Sequence, residues 1–324
     1  MSDLFTSMKD QVKAGYPTIV FPEGTDERVL VAANRLAEDG ILKPIVIGGE
    51  NAIQDKATSL NLTLHSDLTV MDPATYSEMD ALVESFVERR KGKATAEQAQ
   101  EILLNVNYFG TMLVHTGKAD GLVSGAAHST GDTVRPALQI IKTKEGVKKT
   151  SGAFVMVKGD EKYVFADCAI NISPDSNDLA EIGVSSAETA KMFGIEPKVA
   201  MLSFSTKGSA KSPETEKVEE ATRLAKEMAP DLVIDGEFQF DAAFVPEVAQ
   251  KKAPESPLKG EANVFVFPSL EAGNIGYKMV QRLGGYEAVG PVLQGLNKPV
   301  NDLSRGCSEE DVYKLALITA MQSL

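Results

Sequence analysis

The segment Asn301-Asp302-Leu303-Ser304-Arg305-Gly306-Cys307-Ser308-Glu309-Glu310-Asp311 gathers a hydroxyl, a guanidinium, a thiol and several carboxylates at the mouth of one helix. Ser308 is placed to cap that helix, with Asp311 three residues on and the apolar positions Val312, Leu315, Leu317, Ile318 and Met321 behind it. Backbone N–H groups at a helix N-terminus are free and carry partial positive charge. Ser304 and Arg305, on the turn leading in, could therefore help to hold a phosphate there. Ser-x-x-Asp is equally an ordinary capping box, and spacing alone does not separate the two uses.

A second segment has a similar character. In Asp120-Gly121-Leu122-Val123-Ser124-Gly125-Ala126-Ala127-His128-Ser129-Thr130-Gly131-Asp132-Thr133-Val134-Arg135-Pro136, an apolar strand ends in small residues that admit a ligand to the backbone. Ser129, Thr130 or Asp132 can then cap a helix that carries Arg135. Ligands of open α/β sheets sit beyond the carboxyl ends of strands, where this loop falls, although a tight strand-to-helix turn would need the same glycines. A third cluster, Glu88-Arg89-Arg90-Lys91-Gly92-Lys93, closes a predicted helix, and its cations would complement the helix dipole with or without a ligand.

Arginine is scarce here, limited to Arg28, Arg35, Arg89, Arg90, Arg135, Arg223, Arg282 and Arg305. Its planar fork suits bidentate phosphate binding, so those beside loops draw attention. Several other chemistries lack their residues. No Gly-x-x-x-x-Gly-Lys-[Ser/Thr] loop, no Gly-x-Gly-x-x-Gly after a strand and no Gly-x-Ser-x-Gly elbow occurs. His65, His115 and His128 are scattered, without metal-ligand spacing, so no metal site is expected.

These residues must be held by a large scaffold. The chain has 324 residues, 43% hydrophobic and 24% charged, which exceeds what one core usually serves and predicts two domains. Short apolar strands alternate with amphipathic helices, the signature of α/β layers on largely parallel sheets. Strands are expected at 18–21, 44–47, 121–124, 152–157, 163–167, 199–204, 232–236, 263–267 and 290–293. Helices are expected at 26–38, 75–90, 95–107, 176–192, 213–228, 241–252 and 271–283. A polar, glycine-bearing stretch near Thr143–Thr150, followed by two adjoining strand-like runs that suggest a hairpin, marks the boundary. The first domain is read as 1–147 plus 297–324, the last helix returning to it, and the second as 148–296.

A net charge of −13 argues against a nucleic-acid binder, which needs a basic face. No apolar run approaches the ~20 residues that cross a bilayer, so no membrane association is expected. Met1-Ser2-Asp3-Leu4-Phe5-Thr6 lacks a basic start and apolar core, and only Cys168 and Cys307 occur, so a soluble protein of the reducing cytoplasm is expected.

Together, Val123-Ser124-Gly125 through Ser129-Thr130 and Arg135-Pro136, the Arg90-Lys91-Gly92-Lys93 patch, Val264-Phe265-Val266-Phe267-Pro268 before Glu271-Ala272-Gly273-Asn274-Ile275, and Asn297-Lys298-Pro299-Val300-Asn301-Asp302-Leu303-Ser304-Arg305-Gly306 resemble the phosphate acetyltransferase (phosphotransacetylase) family in its short bacterial form. The resemblance runs essentially end to end. It implies two α/β domains of isocitrate/isopropylmalate dehydrogenase-like architecture, an interdomain active-site cleft and a homodimer formed through the second domain. It implies reversible acetyl transfer between acetyl phosphate and coenzyme A, with coenzyme A as substrate and no tightly bound cofactor or metal.

On matching positions, the resemblance makes Asp311 the base for the thiol, Arg305 the phosphoryl ligand and Ser304 a hydrogen-bond donor to the reacting carbonyl or phosphate. Arg135, Arg90, Ser129 and Thr130 would bind substrate, Arg90 rather than Arg89 from the Lys-x-Lys that follows. Cys307, without a histidine partner, is read as a bystander. The rival readings are a phosphate butyryltransferase, a metal- and nicotinamide-dependent dehydrogenase of related architecture, which would need an aspartate cluster that is not found, and a coenzyme A-binding regulatory protein without catalysis.

Overall fold

Ile19-Val20-Phe21, Ile45-Val46-Ile47 and Leu122-Val123 are apolar runs without polar alternation, and all are buried. That is the pattern of parallel strands covered on both faces. A computed structural model describes residues 3–324; Met1 and Ser2, the start of the N-terminal segment read above for a leader, lie outside them.

In chain order the elements are α1 (Asp3–Gly15), β1 (Thr18–Phe21), α2 (Glu27–Glu38), β2 (Lys43–Ile47), α3 (Glu50–Ser59), β3 (Thr69–Met71), α4 (Met79–Arg90), α5 (Ala96–Ile102), α6 (Val106–His115), β4 (Gly121–Ser124) and α7 (Thr130–Pro136), which runs into a π turn (Ala137–Ile141). There follow β5 (Ser151–Lys158), β6 (Glu161–Ala166), α8 (Ser176–Met192), β7 (Lys198–Leu202), α9 (Pro213–Met228), β8 (Val233–Phe238), α10 (Phe240–Phe244), α11 (Pro246–Lys252), β9 (Val264–Val266), α12 (Leu270–Gly284), β10 (Glu287–Gln294), β11 (Val300–Asp302) and α13 (Glu309–Gln322). They form two compact units, one of the residues up to Lys144 with Leu296–Leu324, the other Glu145–Gly295.

The first unit holds a five-stranded sheet in the order β11-β4-β1-β2-β3, parallel throughout. Its centre joins distant parts of the chain: Ile19 pairs with Gly121, and Asp302 with Ser124. Because β1, β4 and β11 are adjacent and point the same way, the loops leaving them emerge together at one edge, where an open α/β sheet places its ligands. Helix α13 is buried on nearly all sides, Val312, Tyr313 and Leu315 to Ala320, between this sheet and helices α1 and α2.

The second unit holds a mixed sheet, β10-β5-β6-β9-β7-β8. Strands β6, β9, β7 and β8 are parallel, while the hairpin β5–β6 and the return of β10 bring antiparallel pairs.

Differences from the expected elements have local causes. The helix expected over 95–107 is two helices, because the Asn105 side chain accepts from the N–H groups of Asn107 and Tyr108 and caps a new start. That over 241–252 divides at Pro246, which cannot continue a helix as a hydrogen-bond donor. Strands β3 and β11 were not expected; β11 is short and two of its three residues are polar.

Helix α6 approaches the sheet through Gly110. A Cβ there would lie 2.9 Å from Leu122 Cδ1 and 3.0 Å from Ile47 Cδ1 and Val20 Cγ1. Gly110→Ala should cost about 1–3 kcal/mol by overpacking, partly offset by about 1 kcal/mol of helix propensity. Calorimetry should show a lower unfolding midpoint; a higher one would mean that α6 has room to move.

Candidate active site

The edge at β1, β4 and β11 is organised by two side chains from the β1–α2 segment. Glu23, 5% exposed, follows β1. Its carboxylate accepts from the backbone N–H of Gly125 (3.1 Å), Ala126 (2.8 Å), Ala127 (2.8 Å) and His128 (2.8 Å), and lies 2.8 Å from His128 Nδ1. Four successive N–H groups converging on one point form an anion-binding nest, and here the anion is the protein's own. Gly125 has φ +115, and a Cβ on it would sit 2.5 Å from Asp302 Oδ1 and 2.6 Å from the backbone of Leu303, so only glycine lets the two loops approach.

Arg28, in the first turn of α2, is held in plane by Asp26, the helix N-cap, through Nε to Oδ1 (3.0 Å) and Nη2 to Oδ2 (2.8 Å). Its remaining donors reach three backbone carbonyls: Ala126 (2.8 Å) in the loop after β4, and Arg305 (2.8 Å) and Cys307 (3.0 Å) in the loop after β11. The Asp26 hydrogen bonds keep the guanidinium pKa above its usual range, and Arg28 in turn holds the Asp26 carboxyl below the usual carboxylate range. One side chain thus joins both reactive-looking segments. A further bond, Leu303 N–H to the Ser124 carbonyl (2.7 Å), runs beside it.

On this base, Ser304, Arg305 and Gly306 stand exposed. The Ser304 carbonyl accepts from Cys307 N–H (2.9 Å) and its hydroxyl from Gly306 N–H (3.3 Å), closing a tight turn. Among the described residues the Arg305 guanidinium has no hydrogen bond or ion pair. Asp311 completes the capping box: its Oδ2 accepts from Ser308 N–H and hydroxyl, both 2.8 Å, while Ser308 Oγ accepts from Asp311 N–H at 3.2 Å. Oδ1 of the exposed Asp311 is left without a protein partner among the described residues. Cys307 is buried, and burial pushes its thiol up to about 11, far from a nucleophile at neutral pH.

Ser129 caps α7 reciprocally with Asp132, and Thr130 donates to Asp302 Oδ2 at 2.6 Å. Arg135 is exposed at the end of α7 and unpaired among the described residues. Arg90 lies elsewhere, in a pocket of about 250 Å³ lined by Arg89, Arg90, Lys91, Lys93, Gln139 and Lys142. The π turn that continues α7 forms one wall. Arg89 is anchored on the structure, donating through Nε and Nη2 to the carbonyls of Ile140 (2.5 Å) and Ile141 (3.0 Å), whereas Arg90 has no such partner among the described residues. The pocket is strongly positive: Arg89 above all, then burial, Lys91, Arg90 and Lys93 hold the Lys142 pKa below its usual value. Among the described residues no group of acidic, histidine or cysteine side chains is arranged to hold a metal.

Sequence reasoning did not single out Glu23, Asp26 or Asp302, and counted Arg28 only among the arginines. Their roles depend on partners far along the chain. The local signals were a carboxylate two residues beyond a buried strand and an N-cap two residues before Arg28.

The family model described as phosphate acetyl/butaryl transferase matches residues 3–320. A phosphate acetyltransferase of Bacillus subtilis (strain 168) is 71% identical over 324 residues, covering 100% of both chains. The solved structure of a phosphotransacetylase from Streptococcus pyogenes superposes with a TM-score of 0.97 at 58% identity, covering 100% of this chain and 99% of that one. A phosphotransacetylase from Staphylococcus aureus gives 0.95 at 65% identity, covering 99% and 98%.

Replacing Arg28 by alanine would leave three carbonyls without their donor and Asp26 with only the backbone N–H groups of residue 28 and Val29. Arg28→Ala should cost about 1–3 kcal/mol of stability and lower turnover more than stability requires. Arg28→Lys, with three donors on a flexible stem, should restore part of the first and little of the second. Equal turnover in the wild type and Arg28→Ala would show that the loops hold their register without it.

Proposed function

The chain belongs to the phosphate acetyl/butaryl transferase family, and from that premise we propose that it transfers acetyl reversibly between acetyl phosphate and coenzyme A at the edge where β1, β4 and β11 end. The observation that carries the reading is a pair of exposed guanidiniums, Arg305 on the loop after β11 and Arg135 at the end of α7, that have no hydrogen bond or ion pair among the described residues, on segments otherwise tied down by hydrogen bonds. Arginines left free where their surroundings are fixed suit a bidentate anion.

In this account Arg305 and Arg135 hold the phosphoryl oxygens, and Ser304 hydrogen-bonds the carbonyl or phosphate oxygen. Asp311 accepts the thiol proton of coenzyme A. A free thiol has a pKa near 8.5 and attacks as thiolate, so a carboxylate in hydrogen-bond reach raises the reactive fraction as the new bond forms. The C–S bond forms, the bond from the acyl carbon to the phosphate oxygen breaks, and inorganic phosphate leaves with its charge matched by arginine. Acetyl phosphate is already an activated donor, so no acyl-enzyme is required. Positioning and charge stabilisation can supply the rate, and one such donor is typically worth about 3 kcal/mol. The cationic pocket at Arg90, with Lys91, Lys93 and Lys142, suits the phosphates of coenzyme A, Arg89 being committed to the backbone.

The protein is further proposed to act as a homodimer in the cytoplasm. In support of the dimer, α12 leaves Ile275 (53%), Met279 (53%) and Leu283 (82%) exposed beside an aromatic cavity lined by Tyr163, Phe240, Phe244 and Tyr286.

Thioester formation from acetyl phosphate and coenzyme A, followed with chelator present and with butyryl phosphate as competitor, tests this. Arg305→Ala should lose about 10²–10³ in kcat. Arg90→Ala should raise KM for coenzyme A while leaving that for acetyl phosphate near its original value. Absence of turnover with both acyl phosphates would remove the reading; an equal effect of Arg90→Ala on both KM values would remove the assignment of the pocket.

A further inference from the structure

Asp302 ends β11, directly before Leu303-Ser304-Arg305, and is 4% exposed. Its Oδ2 accepts from the Thr130 hydroxyl at 2.6 Å, while Oδ1 has no hydrogen-bond partner among the described residues. Among the described residues no cation is paired with it. Strand β4 faces it with Ser124, whose hydroxyl donates to Asn107, and with the close approach of Gly125. Helix α7 turns the hydroxyls of Thr130 and Thr133 toward it, its charged Asp132 and Arg135 lying exposed. The β1–α2 turn contributes Glu23, itself bonded to His128, and α13 meets β11 through Asn301, which donates to Thr319 and Gln322. Oδ1 has only the Thr133 hydroxyl near it, outside hydrogen-bond geometry, and an ionised carboxylate that is buried, incompletely paired and near a second carboxylate is costly. An asparagine would satisfy Thr130 without that cost.

The exposed partner gives the carboxylate a use. With Asp302 ionised, the Thr130 proton must point inward, and the hydroxyl can offer only lone pairs to the surface. With Asp302 protonated on Oδ2, the bond reverses: the carboxyl donates to Thr130 Oγ and frees the Thr130 hydroxyl to donate outward. An anion beside Thr130 needs a donor and is repelled by a negative carboxylate, so it favours the second state on both counts.

We propose that Asp302 is a positioning residue that sets the polarity of the Thr130 hydroxyl, and that binding of the phosphoryl anion of the substrate is coupled to uptake of one proton by Asp302. The inference rests on the acyl-phosphate reading of this edge. No covalent step is involved: solvent supplies the proton on binding and receives it on release. Burial, opposed by the hydroxyls of Thr130 and Thr133 and with Glu23 adding to it, pushes the Asp302 pKa from 3.8 up to about 6. The free protein at neutral pH therefore holds the carboxylate, and the coupling operates above that value and vanishes below pH 5, where the group is already protonated. By linkage, anion affinity falls as pH rises through the free-protein pKa.

Sulfate is the probe, because it stays a dianion throughout the range. Titration calorimetry on the wild type at pH 7, in two buffers of different ionisation heat, should show uptake of a substantial fraction of one proton. Its Kd should weaken roughly threefold to tenfold between pH 6 and pH 8. Asp302→Asn, permanently neutral, should bind sulfate with little pH dependence and more tightly than the wild type at pH 8, with KM for acetyl phosphate changing in parallel. Thr130→Val should bind weakly at every pH, and Thr130→Ser should restore the wild-type slope.

No proton uptake by a wild type that does form thioester overturns the proposal alone, as does an Asp302→Asn profile that keeps the wild-type slope. A wild type that forms no thioester overturns the reading beneath it as well.

Discussion

The site depends on two ionic side chains that face backbone rather than each other. Glu23 draws four consecutive N–H groups of the loop after β4 onto one carboxylate, and Arg28 joins a carbonyl of that loop to two carbonyls of the loop after β11. Loops that leave parallel strands have no ladder to hold them, so their groups must be satisfied by side chains or water. A buried carboxylate is tolerated when its lone pairs are filled, and here they are filled by the segment that has to be shaped. The same bonds that make Glu23 affordable in the interior determine the conformation of Gly125 to His128.

That arrangement divides labour among the arginines. Arg28 and Arg89 are anchored on backbone carbonyls, Arg89 through Nε and Nη2, and so serve first to hold the segments around them. Arg305, Arg135 and Arg90 stand on the elements those two secure, with their forks free among the described residues. A chain of net charge −13 can in this way maintain small positive regions without a basic surface, and the surrounding negative charge discourages unspecific polyanions.

What the sequence disclosed follows contact range. Strands β1 and β4 are legible because burial on both faces leaves an unbroken apolar run, and α13 because Ser308 and Asp311 cap each other within four residues. Strand β11 was not, since Asn301 and Asp302 are polar residues buried by bonds to Thr319 and Thr130. Ser304, Arg305 and Asp311 attracted notice as one contiguous cluster. Glu23 could not, because the groups it binds lie 102 to 105 residues away, and Arg28 reaches carbonyls 277 and 279 residues distant. Local patterns report caps and strands, whereas the parts that hold one loop against another appear only once the sheet order brings β11, β4 and β1 side by side.

The most direct test of this account is the turnover of Glu23→Gln, measured as thioester formation beside the wild type, with folding verified by circular dichroism. The amide has one acceptor oxygen in place of two, and its NH₂ would face N–H donors. The account predicts a folded protein whose kcat/KM has fallen by at least about tenfold, a transition-state loss of about 1.4 kcal/mol or more. A folded Glu23→Gln with wild-type kcat/KM would contradict it, and would mean that the loop after β4 takes its active shape without the carboxylate.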